Sequence, residues 1–402
     1  MNEPKPEAID VRPNFMVIKT LIYYAAFIAL GLTTASLGPT LPGLAETTRT
    51  DISRISFLFV MRSLGYLLGS INAGRLYDKK PGNPVMALAL FFAGALLVAV
   101  PVIPYLWLLA IVILLIGFTE GTVDVGGNTL LVWLHQDRVG PYMNGLHFTF
   151  GIGALLSPVI VAQAISLSGS YRWAYWVLGL IMIPIAAWII RVPSPHFHKD
   201  ESRPVESRTN TYLLILLVMF FFLYVGAESS FGGWVYTYTI NMGLGTETSA
   251  AYITSLFWGA LTIGRLLAIP IASRLRPGAM LGIDLAGCVI SLGMINLFSS
   301  SQTILMIGTI GTGVFMASIF PTLINLAQQK MQITGKITSW FFVGASSGGM
   351  FLPWIIGQLF TPVGPRITML AILISVLVST VIFLLVLRSN RKSPSLHSTR
   401  PT

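Results

Sequence analysis

Cysteine is almost absent from the chain: Cys288 is the only one. That excludes an internal disulfide and a cysteine-built metal cluster. Charge is scarce as well. Charged residues make up 10% of the sequence, against about 25% in soluble domains, so no sizeable soluble domain is expected. Acids are scarcer than bases, 15 Asp and Glu against 25 Lys and Arg, for a net charge of +10. The cations fall in alternate loops, not in one patch, so nucleic acid is not expected as a partner. The first 15 residues, MNEPKPEAIDVRPNF, hold no short apolar core ahead of a small-residue cleavage site and do not read as a cleavable signal peptide. Nucleophile–base pairs, phosphate-cradling loops and metal-ligand spacings are also missing. The chain is therefore not expected to be an enzyme, and no cofactor beyond a sodium ion is expected.

What the sequence has in quantity is apolar runs. Hydrophobic residues make up 54% of its 402 residues, and a spanning helix needs about 20 of them in a row. Run length, broken at Pro, Gly and charge clusters, predicts twelve helices. They cover 16–41, 52–76, 84–104, 106–134, 140–166, 171–191, 211–242, 248–272, 278–300, 303–329, 336–359 and 363–388. The surroundings are then a lipid bilayer. Of the 25 Lys and Arg, Arg62 and Arg265 lie within helices, and only Arg49, Arg54, Arg172 and Arg366 lie on one side. The rest crowd the other side, which the positive-inside rule makes cytoplasmic, together with both termini.

The longest polar stretch, PSPHFHKDESRPVESRTN, spans 193–210 and reads as a cytoplasmic linker. It separates a six-helix half over 1–192 from a second over 211–402. His196 and His198 in it read as solvated loop residues. The halves repeat at a near-constant offset. Gly153, Pro158 and Gln163 match Gly348, Pro353 and Gln358 at 195; Gly31 and Gly38 match Gly226 and Gly233, also at 195. Gly65 and Ala73–Leu76 match Gly264 and Ala272–Leu275 at 199. Two such halves with a site between them are the architecture of many secondary transporters. No extended small-xxx-small face stands out on one helix, and a monomer is expected.

Six charged residues sit inside these apolar helices: Arg62, Glu120, Asp124, Glu228, Arg265 and Asp284. A charge in hydrocarbon costs from about 2.5 kcal/mol upward and persists where it pairs or handles ions and substrates. Glu120, Asp124 and Asn128 follow one another at four-residue steps, on one helix face. Two carboxylates one turn apart repel and call for a cation between them: Arg62, a proton or sodium. Ion coupling and a structural cluster with Arg62 are the two readings. Glu228 lies mid-helix, followed by Phe231, Trp234, Tyr236 and Tyr238. Carboxylates beside aromatic faces suit sugars, while the same aromatics suit an interfacial belt. Asn144, His147, Thr34, Trp258 and Gln358 are further candidates to face a substrate, and Arg265 with Asp284 reads as a structural pair or as snorkelling ends.

The loop after the second helix, Gly74-Arg75-Leu76-Tyr77-Asp78-Lys79-Lys80-Pro81-Gly82, resembles the GxLxD(R/K)xxG signature of the major facilitator superfamily. In that reading Gly74 admits a close helix neighbour, and Asp78 with Lys79 forms a latch against a helix N-terminus across the two halves. The segments GPYMNGLHFTFGIGALLSP, EGTVDVGGN and YVGAESSFGGWVYTY are similar to the sodium-dependent glucose transporter-like branch, near the fucose–galactose–glucose/proton symporters. The resemblance implies an all-α twelve-helix fold and uptake of a sugar driven by sodium or protons. It makes Glu120 and Asp124 the coupling candidates, with Arg62 and Asn128 beside them, and Glu228 and Trp234 sugar-facing. The alternative is proton-coupled export of a drug-like or lipid-like compound.

Overall fold

The computed structural model of the protein describes residues 13–195 and 210–389. His196, His198 and most of the expected linker lie outside the described residues. The helices are α1 (Pro13–Thr34), α2 (Leu37–Thr47), α3 (Ile52–Ile55), α4 (Phe57–Lys79), α5 (Gly82–Ala99), α6 (Leu106–His135), α7 (Val139–Ser168) and α8 (Arg172–Ile189) in the first half. The second half holds α9 (Thr211–Asn241), α10 (Glu247–Ala272), α11 (Pro277–Leu297), α12 (Gln302–Met316), α13 (Ile319–Lys330), α14 (Gly335–Val363) and α15 (Ile367–Arg388). Joined across their breaks, they make twelve segments long and apolar enough to cross a membrane, as the apolar runs predict.

Two breaks that hydropathy does not show divide α1 from α2 and α12 from α13. Each falls four residues before a proline. Pro39 has no N–H to bond the carbonyl of Ala35, and Pro321 none for that of Ala317, so the ladder is interrupted there. At the first break hydroxyls compete for the loosened carbonyls: Ser36 Oγ donates to Thr33 O at 2.8 Å and Thr40 Oγ1 to Ser36 O at 2.8 Å. At the second, the Tyr224 hydroxyl oxygen lies 2.9 Å from Met316 O.

Helices touch through glycine. On α4 and α6 the pairs Gly65/Gly69 and Gly117/Gly121 face each other, and a Cβ on any of them would strike backbone of the opposite helix. This is small-xxx-small packing on both partners, used within the chain, and the sequence reading passed over it. Likewise Gly31 and Gly153 bring α1 against α7. The second half repeats both contacts: Gly226 with Gly348 brings α9 against α14, and Gly264 with Gly313 brings α10 against α12. The glycines that repeat in sequence therefore make equivalent contacts in space.

The two halves meet at the face opposite the chain termini. There Gly38 of α2 rests on Gly232 and Gly233 of α9. Gln358 Nε2 donates to Ser53 O at 2.9 Å, and Ser53 Oγ donates to Gln358 Oε1 at 3.0 Å. Ser255 Oγ donates to Leu155 O at 2.7 Å, and Gln163 Nε2 to the Tyr252 hydroxyl at 2.6 Å. These four bonds between the halves all lie toward that face. The expected latch is not made: Asp78 and Lys79 are exposed, and a Cβ on Gly74 would meet nothing within 4 Å. The side chains of Asp78 and Lys79 face solvent instead of a helix end of the other half.

Gly117→Val places a branched side chain against the Arg62 carbonyl. Overpacking of this kind costs about 1–3 kcal/mol, so the variant is expected to melt at lower temperature in detergent, whereas Gly74→Ala is not. Equal melting temperatures for both would refute the glycine-contact account.

Candidate functional site

The α4–α6 glycine contact sets two rungs of side chains across one interface. Arg62 and Tyr66 are four residues apart on α4; Glu120 and Asp124 are four apart on α6. Equal spacing at close approach pairs them in order. Arg62 holds Glu120 with both prongs, Nε on Oε2 at 2.9 Å and Nη2 on Oε1 at 2.8 Å. Such a fork is the strong form of the carboxylate contact. Thr34 Oγ1 adds a bond to Oε1 at 3.3 Å. Glu120 is 4% exposed and its arginine 18%, so the pair is neutralised within the protein.

Asp124 has a different environment. Tyr66 donates its hydroxyl to Oδ2, and Asn128 Nδ2 donates to Oδ1 at 3.1 Å. Both partners are neutral, and no ion pair reaches Asp124 among the described residues. The sequence reading put one cation between the two carboxylates. Instead both of the bonds Arg62 makes, from Nε and Nη2, go to Glu120. No group of three or more His, Cys, Asp or Glu with metal-holding geometry occurs among the described residues.

In the second half Glu228 accepts the hydroxyl of Tyr224, one turn before it, and lies 3.8 Å from Arg265 Nη2. Both side chains are partly exposed, Arg265 at 31% and Glu228 at 17%. This corrects one expectation: Arg265 does not pair with Asp284, whose Oδ2 accepts from Ser318 Oγ at 2.5 Å. Asp284 is buried and braces the α12–α13 break through Ser318.

Asn144 and His147, on α7, are exposed although they lie within a membrane-crossing helix. His147 packs edge-on against Phe27 and is near enough to Arg265 to feel its charge. Arg62, Asp124, Glu228 and Arg265 are partly exposed, and with Asn144 and His147 they bring polar groups of both halves into one polar vestibule. Near it lies Trp258, which is 8% exposed and packs on Gly232; its indole N–H has no hydrogen-bond partner among the described residues.

Three expected substrate residues are elsewhere. Trp234 is fully buried between Phe59 and Phe360 and donates to Pro353 O at 3.0 Å. It therefore neither contacts the vestibule nor forms an interfacial belt. Tyr236 is buried among Ala162, Ala250 and Ala251, and Gln358 joins the halves as described. All three belong to the seal opposite the termini, since that end of α9 is drawn into the half-to-half contact. Tyr66 and Tyr224 were not singled out from sequence. The available signal was spacing, since each tyrosine lies four residues from a charged residue, Arg62 or Glu228, on its own helix.

The sequence profile described as Major Facilitator Superfamily matches residues 23–353. Sodium-dependent glucose transporter 1 of Xenopus laevis is 33% identical over 355 residues, covering 81% of this chain and 72% of that protein. Sodium-dependent glucose transporter 1A of Mus musculus is 32% identical over 379 residues, covering 84% and 88%. Among solved structures, a bacterial homolog of the human lysosomal transporter Spinster, inward-facing and occupied, superposes with a TM-score of 0.75. That match has 11% identity and covers 96% of this chain and all of that one.

Breaking a buried ion pair from one side costs about 3–5 kcal/mol, while replacing both partners with apolar residues is often neutral. Arg62→Ala is therefore expected to lower the melting temperature sharply, and Arg62→Met/Glu120→Leu to recover most of the loss. A double variant no more stable than the single would contradict the pairing.

Proposed function

Because the chain belongs to the major facilitator superfamily, we propose that it imports a monosaccharide by cation-coupled symport with alternating access. The observation that carries this reading is Asp124, a carboxylate deep in the helix bundle with only neutral partners. Every other membrane-embedded acid named here, except Asp284, has an arginine beside it. A bare carboxylate at this depth is costly, and a proton or a sodium ion relieves the cost. Carboxylate, amide and hydroxyl oxygens form a hard set suited to sodium; Asp124 and Tyr66 present two of them, and Asn128 supplies the third once its amide, whose Nδ2 now donates to Asp124, turns over. The relatives' names, sodium-dependent glucose transporters, support a sugar as the substrate.

The cation asymmetry of the loops supports cytoplasmic termini, and the vestibule is taken to open inward. The halves are 1–192 and 211–402, joined by the linker 193–210. In this state the protein releases sugar to the cytoplasm. Asp78 and Lys79 engage across the halves when the inner face closes, while the seal around Trp234 and Gln358 opens. Sugar hydroxyls need both donors and acceptors. Trp258 Nε1, Asn144 and His147 supply them, and the loosely held Glu228 carboxylate accepts. An oxygen without a tight partner is free to exchange Arg265 for a hydroxyl. Arg62 and Glu120 keep α4 and α6 in register so that Asp124 stays aimed at the vestibule.

The test is uptake of labelled glucose, galactose and fucose into proteoliposomes, under a sodium gradient and, separately, a pH gradient. Accumulation under one of them is expected, with the driver named by the gradient that works. Asp124→Asn is expected to lose accumulation at least tenfold and keep part of sugar exchange. A variant that still concentrates sugar would sink the coupling assignment. No accumulation of any sugar would favour export of amphiphilic compounds instead. Losing one neutral hydrogen bond costs about 0.5–1.5 kcal/mol, so Trp258→Phe is expected to raise the half-saturating sugar concentration roughly two- to tenfold. An unchanged value would remove Trp258 from the site.

A further inference from the structure

A cleft of about 420 Å³ runs between α11 and α15 on the outside of the bundle, away from the vestibule. Its walls are apolar, with Gly282, Ala286 and Ile290 on one side and Leu377, Thr380 and Leu384 on the other. Ala286, Ile290, Leu377 and Leu384 are exposed, so the cleft opens toward the membrane.

The helices close below the cleft, at the face bearing the termini, where a Cβ on Gly278 would lie 3.4 Å from Leu387. Cations converge at that point. Arg276 immediately precedes α11, Arg388 ends α15, and both are exposed. Lys330, at the end of α13, donates to Leu387 O at 3.3 Å and Ser389 O at 3.0 Å, which brings a third positive charge to the same corner. At about 1.5 Å per residue, Arg388 lies roughly 6 Å beyond Leu384 and Arg276 roughly 9 Å before Gly282. Among the described residues, α13 and α15 carry no carboxylate, and the single acid of α11, Asp284, is buried against Ser318. The corner thus presents positive charge with no acid to attract a cationic amine.

We propose that this cleft is a binding site for one anionic phospholipid of the leaflet at the termini face. One acyl tail lies between α11 and α15, and the phosphate lies on Arg276 and Arg388. The apolar slot and the cationic corner occur at consecutive depths, as the tail and headgroup of one lipid do. A zwitterionic lipid fits the slot equally well, but its amine finds no carboxylate at the corner. A free phosphate fits the corner but leaves the slot unfilled.

The full-length protein, purified in a zwitterionic detergent, is offered phosphatidylglycerol or phosphatidylcholine with the same tails, and bound lipid is counted by native mass spectrometry. One phosphatidylglycerol per chain is expected to stay bound under conditions that strip phosphatidylcholine. Each basic residue near an anionic surface contributes a few-fold in affinity, so Arg276→Gln/Arg388→Gln is expected to weaken binding about tenfold to thirtyfold. Ala286→Phe fills the slot and is expected to abolish binding with both arginines in place. Melting temperatures in lipid-free detergent show whether the variants fold. If one of them unfolds, Leu377→Trp or single arginine variants replace it. Equal retention of the two lipids, unaltered retention in the variants, or complete displacement by inorganic phosphate would each overturn the proposal.

Discussion

The contact between the glycine faces of α4 and α6 is the constraint on which the site depends. Gly65, Gly69, Gly117 and Gly121 let the two backbones touch, and only at that distance can Arg62 reach Glu120 with both nitrogens. Once that rung is fixed, the next one follows from the four-residue spacing of both helices: Tyr66 must face Asp124. A larger residue at any of the four glycines would separate the helices, lengthen the fork and leave two buried charges to be solvated by nothing. Helix packing and electrostatics are therefore one arrangement here. The apolar surroundings make the ion pair obligatory, and the ion pair fixes the register of helices that hydrophobicity alone would let slide.

The second half keeps the glycine geometry without the charges. Gly313 meets the backbone at Phe257 and Leu261 as Gly117 meets it at Arg62 and Tyr66, so two apolar residues stand where the first half has an arginine and a tyrosine. The charged pair of the second half, Glu228 with Arg265, joins α9 to α10 instead and is looser, at 3.8 Å. Duplication thus explains the scaffold, while the chemistry belongs to each half separately. A tight, neutral pair suits a fixed register in one half, and a loose pair open to the vestibule suits exchange with a ligand in the other.

Most of the fold was legible in the sequence, because helices in a membrane must carry long apolar runs and Gly, Pro and charge mark their ends. The repeat at 195 was legible too, since close backbone contact tolerates only small residues. The breaks before Pro39 and Pro321 were not, as hydropathy runs through them unchanged. Within the site, Glu120, Asp124 and Arg62 stood out because charge in an apolar run is rare. Tyr66 and Tyr224 did not, because a tyrosine there looks like one more aromatic. Trp234, Tyr236 and Gln358 misled for a tertiary reason. Trp234 and Tyr236 lie on a face of α9 that residues remote in sequence and drawn from both halves bury, while Gln358, exposed on α14, is held across the halves by Ser53.

The difference between compensated and bare charges also has an electrical consequence. Arg62 with Glu120, and Arg265 with Glu228, each carry no net charge, so a transmembrane voltage exerts little force on them. Of the vestibule carboxylates, Asp124 alone carries an uncancelled charge when empty, and none when it holds a proton or a monovalent cation. Moving one elementary charge through the whole field is worth about 2.3 kcal/mol per 100 mV. In a carrier of the proposed kind, a voltage negative on the cytoplasmic side pushes the empty, anionic binding centre outward and leaves the loaded centre untouched. The resting potential would then act on the return stroke, resetting the empty protein toward the outside instead of pulling the cargo in.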